Sequence, residues 1–126
     1  MRIGERKLRR TITNTQLLEA IRFLKIKART NNAKIWALAA DQLSRPRRAR
    51  AALNLNHIAR ATAANSIIFI PGKVLGSGTV NHRVVIGAFE YSKTARSKIE
   101  RAGGQCMSLK DFVEHYPKGS NVTIMR

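Results

Sequence analysis

Apolar residues recur along the first third of the chain at the spacing of one helical face. Leu17, Ile21, Leu24 and Ala28 stand at positions i, i+4, i+7 and i+11. One side of an α-helix buries residues at this spacing, while the positions between them face solvent. The pattern therefore predicts a helix over residues 13–29, which ends at a polar Asn-Asn pair.

A second helical segment is predicted after that break. Residues 33–43 place Ile35, Leu38 and Ala39 on an apolar face, so these three side chains are expected to be buried. Two neighbouring helices joined by a short turn favour an antiparallel pair. Pro46 disfavours a helical conformation in the residue before it, so a loop is predicted to follow the second helix.

The remainder of the chain alternates short apolar runs with short amphipathic segments. Consecutive apolar residues are typical of strands that are covered on both faces. The amphipathic segments begin at the capping residues Asn56, Ser92 and Ser108, and Gly103 is expected to stop the helix that Ser92 begins. The predicted strands are residues 66–70, 84–89, 105–107 and 122–124, and the predicted helices are residues 56–63, 93–102 and 109–115. This order predicts an α/β core over residues 51–126, preceded by a basic N-terminal arm with two helices over residues 1–50.

The charge of the chain points to an anionic partner. Its 126 residues, which suffice for one domain, include 24 Lys and Arg against 7 Asp and Glu, a formal net charge of +17 at pH 7. Self-repulsion at this charge opposes folding, so we expect a nucleic acid as partner, with an anionic membrane surface as the second candidate. Arg outnumbers Lys by 15 to 9, which favours RNA because guanidinium groups pair with phosphate oxygens and stack on bases.

The composition excludes several classes of protein. No apolar run, such as residues 67–70, approaches the length of about 20 residues that a transmembrane helix needs. The basic first ten residues are not followed by the apolar stretch of a secretory signal. One cysteine, Cys106, can form neither an internal disulfide nor a cysteine-cluster zinc site. These features predict a soluble cytoplasmic protein without a cofactor.

No catalytic or metal-binding pattern is recognisable. His57, His82 and His115 lie far apart in sequence and lack the close spacing of metal ligands. Cys106 stands in a short apolar segment, which is more typical of a small buried side chain than of a nucleophile. The few carboxylates are scattered, which disfavours an acid–base pair. We predict that the protein is not an enzyme, binds no metal and takes no small-molecule substrate.

A glycine-rich stretch, residues 71–78, lacks the spacing of nucleotide-binding loops. A Walker loop requires Gly and Ser or Thr where this chain has Ile67 and Val74. The third glycine of a dinucleotide fingerprint is replaced by Asn81. Neither nucleotide hydrolysis nor dinucleotide binding is predicted.

The same stretch has two remaining interpretations. Pro71 and Gly72 are expected to end the preceding strand and to open a loop over residues 73–79. This loop is either an ordinary turn or an RNA contact, in which Lys73 and the backbone near Gly76 bind a phosphate because glycine lets the main chain approach an anion closely. We favour the RNA contact.

Other basic residues form further candidate contacts. Basic clusters at the start of the chain and around Pro46 are interpreted as phosphate-binding arms that order on binding, the alternative being solvated charge runs. Ser92 precedes the helix over residues 93–102, whose first amides favour an anion, the alternative being a solvated basic face. His82 and Arg83 are expected in an exposed turn. The candidate RNA-binding residues are Arg2, Arg6, Lys7, Arg9, Arg10, Arg22, Arg29, Arg45, Arg47, Arg48, Arg50, Gly72, Lys73, Gly76, His82, Arg83, Ser92, Lys93 and Arg96.

Three segments, taken in order, resemble a known family. They are Pro71-Gly72-Lys73-Val74-Leu75-Gly76-x-Gly78, Val84-Val85-Ile86-Gly87-Ala88-Phe89 and Ser92-Lys93-x-Ala95-x-x-Lys98-Ile99-x-x-Ala102-Gly103-Gly104. The combination is similar to the archaeal and eukaryotic large-subunit ribosomal protein eighteen-e family, the sibling of bacterial large-subunit ribosomal protein fifteen. Residues 44–48 and 53–58 look like its earlier segments, so the resemblance covers essentially the whole chain.

The resemblance implies an irregular core of strand-strand-helix turns and a structural, non-catalytic role in the large ribosomal subunit. It implies large-subunit (23S-class) rRNA and neighbouring large-subunit proteins as partners. The expected RNA contacts are the N-terminal basic residues, the loop over residues 45–50, the Lys73 loop and the helix with Lys93 and Arg96. The alternative is a free-standing nonspecific nucleic-acid-binding protein of the chaperone or chromatin-like kind, which explains the charge but not the glycine and proline pattern.

Overall fold

A computed structural model describes residues 14–46 and 49–126 of the chain, without the side chain of Asn14. The described residues form five helices and five strands, which confirms the predicted α/β class with a helical N-terminal segment. In chain order the elements are α1 (Asn14–Thr30), α2 (Lys34–Leu43), β1 (Ala51–Asn54), α3 (Leu55–Ala61), β2 (Ser66–Leu75), β3 (Val84–Tyr91), α4 (Lys93–Arg101), β4 (Gln105–Ser108), α5 (Leu109–His115) and β5 (Val122–Ile124).

The strands form one parallel sheet in the described part of the chain. Its order is β1-β2-β3-β4, and β5 pairs with β2. Since β3 occupies one edge of β2, strands β1 and β5 share the other edge: β5 pairs with residues 67–69 of β2, and β1 pairs with residues 72–75. The carboxyl ends of β1, β2, β3 and β4 therefore meet at one edge of the sheet, which we call the carboxyl edge.

Helices cover both faces of this sheet. On β2, Ile68 and Ile70 pack in the cluster that contains Leu55 and Ile58 of α3 and Ile99 of α4. The side chain of Phe69 lies on the opposite face, in the cluster formed with α1, α2 and α5. The period of two along a strand sends neighbouring side chains to opposite faces. The predicted burial of residues 66–70 on both faces is thereby confirmed.

The first two helices pack through a tryptophan that lies at the centre of one cluster. Trp36 is fully buried, its ring meets the Phe69 ring edge to face at 5.3 Å, and its Nε1 donates to the carbonyl of Pro117. The prediction that Leu38 is buried was wrong, because Leu38 is 43% exposed. Residues two apart lie on nearly opposite sides of a helix, so the side that buries Trp36 turns Leu38 outward.

Strand β2 runs through the proline and glycine that were expected to end it. The register shifts between Ile70 and Lys73, and Pro71 lies in this irregularity, where a missing backbone N–H is tolerated. Gly72 is buried directly against the carbonyl of Ala51 on β1, so that a side chain at this position would overlap the neighbouring strand. The predicted loop over residues 73–79 therefore begins only after Leu75.

Strand β1 was not predicted, and it displaces the start of the following helix. Asn54 stands at the cap of α3, in place of the expected Asn56, and α3 ends at Ala61. The side chain of Asn54 does not cap the helix; it accepts a hydrogen bond from the backbone N–H of Ser77 at 3.3 Å. Strand β1 has only four residues, and two of them are Ala, which is depleted in strands, so its sequence carries no clear strand signal.

The boundaries of α4 and α5 follow the predicted caps. Ser92 Oγ accepts from the backbone N–H of Ala95 at 3.1 Å, and Ser108 Oγ accepts from that of Asp111 at 3.2 Å. Gly103 follows α4 with φ +82°, the left-handed conformation expected of a glycine helix stop. Strand β5 begins and ends where it was predicted.

Candidate nucleic-acid interface

The predicted basic N-terminal cluster lies outside the described residues. This holds for Arg2, Arg6, Lys7, Arg9 and Arg10, and also for Arg47 and Arg48 in the second cluster. The contacts expected of these residues stay predictions.

Helix α1 presents basic residues to solvent along one side. Arg22, Lys25 and Arg29 are exposed, and their spacing of three and four residues places them on one face. Lys27 points elsewhere, because its Nζ lies 3.3 Å from a carboxylate oxygen of Glu114 on α5. The exposed face of α1 therefore carries three cations and is separate from the side that packs on α2 and α5.

The loop after α2 leads directly to strand β1. Arg45 is exposed, and its carbonyl accepts a hydrogen bond from Nε of Arg50 at 3.1 Å, which holds the two ends of the loop together. Ala51 follows at once and pairs with Gly72. The structure thus brings the second basic cluster next to the residue that precedes Lys73, although 22 positions separate Arg50 from Gly72 in sequence.

Lys73 belongs to strand β2 and not to the loop where it was expected. It is half-buried and alternates with Val74, whose side chain lies in the core with α3 and α4, so Lys73 points to the opposite face of the sheet. Its register partner on β3 is Glu90. The Cα of Lys73 therefore lies opposite that of Glu90, near the carboxyl edge of the sheet.

The glycine loop, residues 76–78, packs closely against both α3 and α4. A Cβ at Gly76 would lie 2.7 Å from Cβ of Thr94, and one at Gly78, where φ is +91°, would overlap the side chain of Asn56. The loop is held by Lys98, whose Nζ donates to the carbonyls of Gly76 and Gly78 at 2.9 and 2.7 Å. These glycines permit close packing of the loop, which is a structural role.

Sequence reasoning missed the role of Lys98. Lys98 is named in the segment that resembles the family but is not among the candidate RNA-binding residues. The available signal was weak: a lysine one and a half turns after the cap of a helix that follows a glycine loop. Only the packing of the loop against α4 brings the two carbonyls within reach of this ammonium group.

The first turn of α4 carries an arginine that lies over an aromatic ring. Arg96 is exposed, and its guanidinium lies 4.9 Å from the centre of the Tyr91 ring. The Tyr91 hydroxyl lies 2.8 Å from the carbonyl of Ile86 and 2.7 Å from that of Met107, which fixes the ring. Burial raises the pKa of Tyr91 above its ordinary value, so the phenol stays neutral. The stacked guanidinium keeps its edge free to bind a phosphate.

Lys93 and Ser92 lie beside this arginine. Lys93 is exposed at the first position of α4, and the backbone amides of that turn point toward the carboxyl edge. The Ser92 hydroxyl is engaged in capping through Ala95 N–H. The first turn of α4, with Lys93 and Arg96, therefore combines two cations with a helix N-terminus, an arrangement that favours an anion.

His82 and Arg83 lie near the opposite edge of the sheet, just before β3 begins. His82 was expected to be exposed, but it is half-buried, and its Nε2 lies 2.8 Å from Oγ1 of Thr62. Thr62 already donates its hydroxyl proton to the carbonyl of Ile58 at 2.7 Å, so His82 Nε2 is the donor to Thr62. Arg83 is exposed and donates to Oδ1 of Asn65 at 3.4 Å. These two residues do not join the carboxyl edge.

The chemistry of the described residues is that of a binding surface. No group of His, Cys, Asp or Glu within residues 14–46 and 49–126 is arranged to hold a metal ion. Burial raises the pKa of Cys106 to about 11, so its thiol is neutral at physiological pH. Within the same ranges, none of the helices combines the length and apolarity that crossing a membrane demands.

Comparison with known proteins gives consistent matches. A family profile described as ribosomal protein 60S L18 and 50S L18e matches residues 4–126. The large ribosomal subunit protein eL18 of Methanothermobacter thermautotrophicus is 45% identical over 91% of this chain and 95% of its own length. The proteins of the same name from Methanococcus maripaludis and Methanoregula boonei are 40% and 44% identical, each over 90% of this chain and 94% of its own length.

Proposed function

Because the chain belongs to the family of ribosomal proteins 60S L18 and 50S L18e, we propose that it stabilises large-subunit rRNA by binding phosphates at the carboxyl edge of its sheet and along α1. Membership of this family confirms the predicted structural role in the large ribosomal subunit, the ribosomal location and the non-catalytic character. The proposal adds which surface meets the RNA.

The arrangement of Arg96 is the observation that carries this proposal. Its guanidinium lies over the Tyr91 ring, which is itself held by hydrogen bonds, so little side-chain freedom is lost when it pairs with a phosphate. Lys93 on the same turn is exposed. Both cations adjoin the N-terminus of α4, where the partial charge of the helix also favours an anion.

The proposed mechanism is electrostatic. Exposed Arg and Lys side chains replace the counterions of the RNA backbone, and the entropy of the released ions drives binding. Arg22 and Arg29 on α1 supply a second row of cations, so two segments of RNA can be held by one rigid protein. Sequence specificity is expected to be slight, because paired RNA is recognised mainly through its shape.

The experiment measures binding to an rRNA fragment across a salt series. We compare the protein with a Lys93→Gln, Arg96→Gln double variant and with a Lys118→Gln control, since Lys118 is exposed after α5 and was not assigned to the interface. Removing two phosphate contacts should lower the slope of log K against log salt by roughly 1.5. The control should retain most of the salt slope measured for the unchanged protein.

Two measurements decide the proposal. Thermal unfolding first establishes that the double variant is folded, because Arg96 also covers Tyr91. If the folded double variant binds the rRNA fragment with unchanged affinity and an unchanged salt slope, the carboxyl edge is not part of the RNA interface. An equal loss per removed charge in the double variant and the control would indicate a nonspecific charge effect, which is the behaviour of the alternative nonspecific nucleic-acid-binding protein.

A further inference from the structure

A solvent-facing cleft lies on a different side of α4 from Arg96. One wall is the segment that follows the glycine loop, and the other is the second half of α4. The cleft has a volume of about 290 Å³ and is lined by Thr79, Val80, Asn81, Lys98, Arg101 and Ala102. None of these residues belongs to the predicted set of RNA contacts.

The lining of the cleft is positively charged. Lys98 and Arg101 contribute two cations, and no carboxylate of residues 14–46 and 49–126 lines the cleft. They stand three positions apart on one helix face, where like charges repel each other. The neighbouring Glu100 does not line the cleft. An anion bound between the two cations would relieve this repulsion.

Both cations are already held in place. Lys98 uses two of its three N–H groups on the carbonyls of Gly76 and Gly78. Its third N–H has no partner among residues 14–46 and 49–126. Arg101 donates through Nη2 to Oγ of Ser97 at 3.2 Å, which fixes the guanidinium beside the cleft. Binding here therefore orders little that is not ordered already.

We propose that this cleft is a second phosphate-binding site, which takes one phosphodiester group of the rRNA backbone. Lys98 and Arg101 neutralise its charge, and the exposed hydroxyl of Thr79 and side-chain amide of Asn81 supply neutral donors. The choice of RNA as the source of the phosphate rests on the function proposed above. The existence of an anion site rests only on the cleft itself.

The experiment separates these two statements. Inorganic phosphate is titrated into the full-length protein while backbone amide signals are followed by NMR, and an rRNA fragment is then bound across a salt series. Arg101→Ser removes one cation, Asn81→Asp adds a repelling carboxylate without removing a helix residue, and Arg126→Ser is the control because Arg126 is exposed and lies outside the cleft. Lys98 is left unchanged because the loop depends on it.

We expect phosphate to shift the amides of residues 79–81 and 98–102, and both cleft variants to abolish these shifts. Each cleft variant should weaken rRNA binding about fivefold at moderate salt, as expected for one partly screened contact to a charged group, while Arg126→Ser changes it less. Absence of phosphate shifts would overturn the anion site. Phosphate shifts with rRNA affinity equal to that of the control would overturn RNA as its ligand. If the unmodified protein binds no rRNA at all, the proposed function fails whatever phosphate does.

Discussion

At the scale of single residues, one lysine links the glycine loop to its neighbouring helix. Lys98 donates to two backbone carbonyls of the loop, Gly76 and Gly78, and these glycines allow the loop to approach α3 and α4 closely. A charged donor satisfies carbonyl groups that lack a strand or helix partner. The lysine thus acts as an internal support as well as a charged group.

Replacing this lysine should therefore destabilise the fold. Lys98→Met keeps the length and the apolar stem of the side chain but removes both hydrogen bonds. We expect a loss of about 2 kcal/mol in the free energy of unfolding, because a hydrogen bond from a charged group contributes about 1.5 kcal/mol or more in net terms, and the partial exposure of Lys98 to water reduces the sum of the two. Urea denaturation measures this loss. Lys93→Met, an exposed site on the same helix, is the matched control and should change stability little.

The single thiol gives a prediction about pH. Burial raises the pKa of Cys106 from 9.0 to about 11, so the folded protein keeps its thiol proton between these values while the unfolded chain loses it. Stability from this group is present below pH 9 and decreases as the pH rises toward 11. We expect Cys106→Ala to flatten the fall in unfolding free energy between pH 9 and pH 10, in denaturant titrations at each pH. An equally steep fall in the variant would assign the pH dependence to other groups.

At the scale of elements, β3 and α5 are in close contact at a glycine of the strand. Gly87 lies on β3 directly beneath the Phe112 ring, and a Cβ at this position would overlap ring atoms. Phe112 is fully buried and also contacts the rings of Trp36, Phe69 and Tyr116. The strand can come this close to the helix only because it carries a glycine here.

A methyl group at this contact should separate the strand from the helix. Gly87→Ala is expected to lower the free energy of unfolding by about 2 to 3 kcal/mol, as overpacking of a rigid core does. Calorimetry or urea denaturation measures the loss. In a Gly87→Ala, Phe112→Leu double variant the smaller side chain makes room, so the two losses should be less than additive. Strict additivity would show that the overlap is relieved elsewhere.

At the scale of the whole molecule, a rigid three-layer fold carries a large positive charge on its surface. The net charge of +17 opposes folding through self-repulsion, and the sheet buried between two helical layers supplies the opposing apolar energy. Helix α1 and the carboxyl edge carry basic residues on different parts of this body. The division of the chain near residue 50 into an arm and a core stays a prediction.

Association with the large subunit should survive conditions that remove nonspecific binders. In a sucrose gradient of native cell extract, we expect the protein to migrate with large subunits at about one copy each, at moderate and at high salt, because many phosphate contacts are held by a single folded body. Quantitative immunodetection of the fractions measures the ratio. Release into the light fractions at moderate salt would contradict a structural place in the subunit.

The sequence by itself determined the class of the fold, the caps of α4 and α5, and the net charge from which an anionic partner was predicted. Helix caps such as Ser92 and Ser108 depend on a few adjacent residues, and net charge is a sum over residues, so neither requires knowledge of the tertiary arrangement. The runs in β2 and β3 likewise showed their burial on both faces through local composition alone.

Only the tertiary structure decided which of the candidate residues meet. Strand β1 forms because an edge of β2 is available for pairing. The same pairing extends β2 beyond Pro71 and places Lys73 in a strand. The hydrogen bonds of Lys98 join residues 20 and 22 positions apart. The stack of Arg96 on Tyr91 and the separation of His82 from the carboxyl edge likewise depend on how elements pack. Such contacts arise from distances between elements, which local patterns in a sequence do not encode.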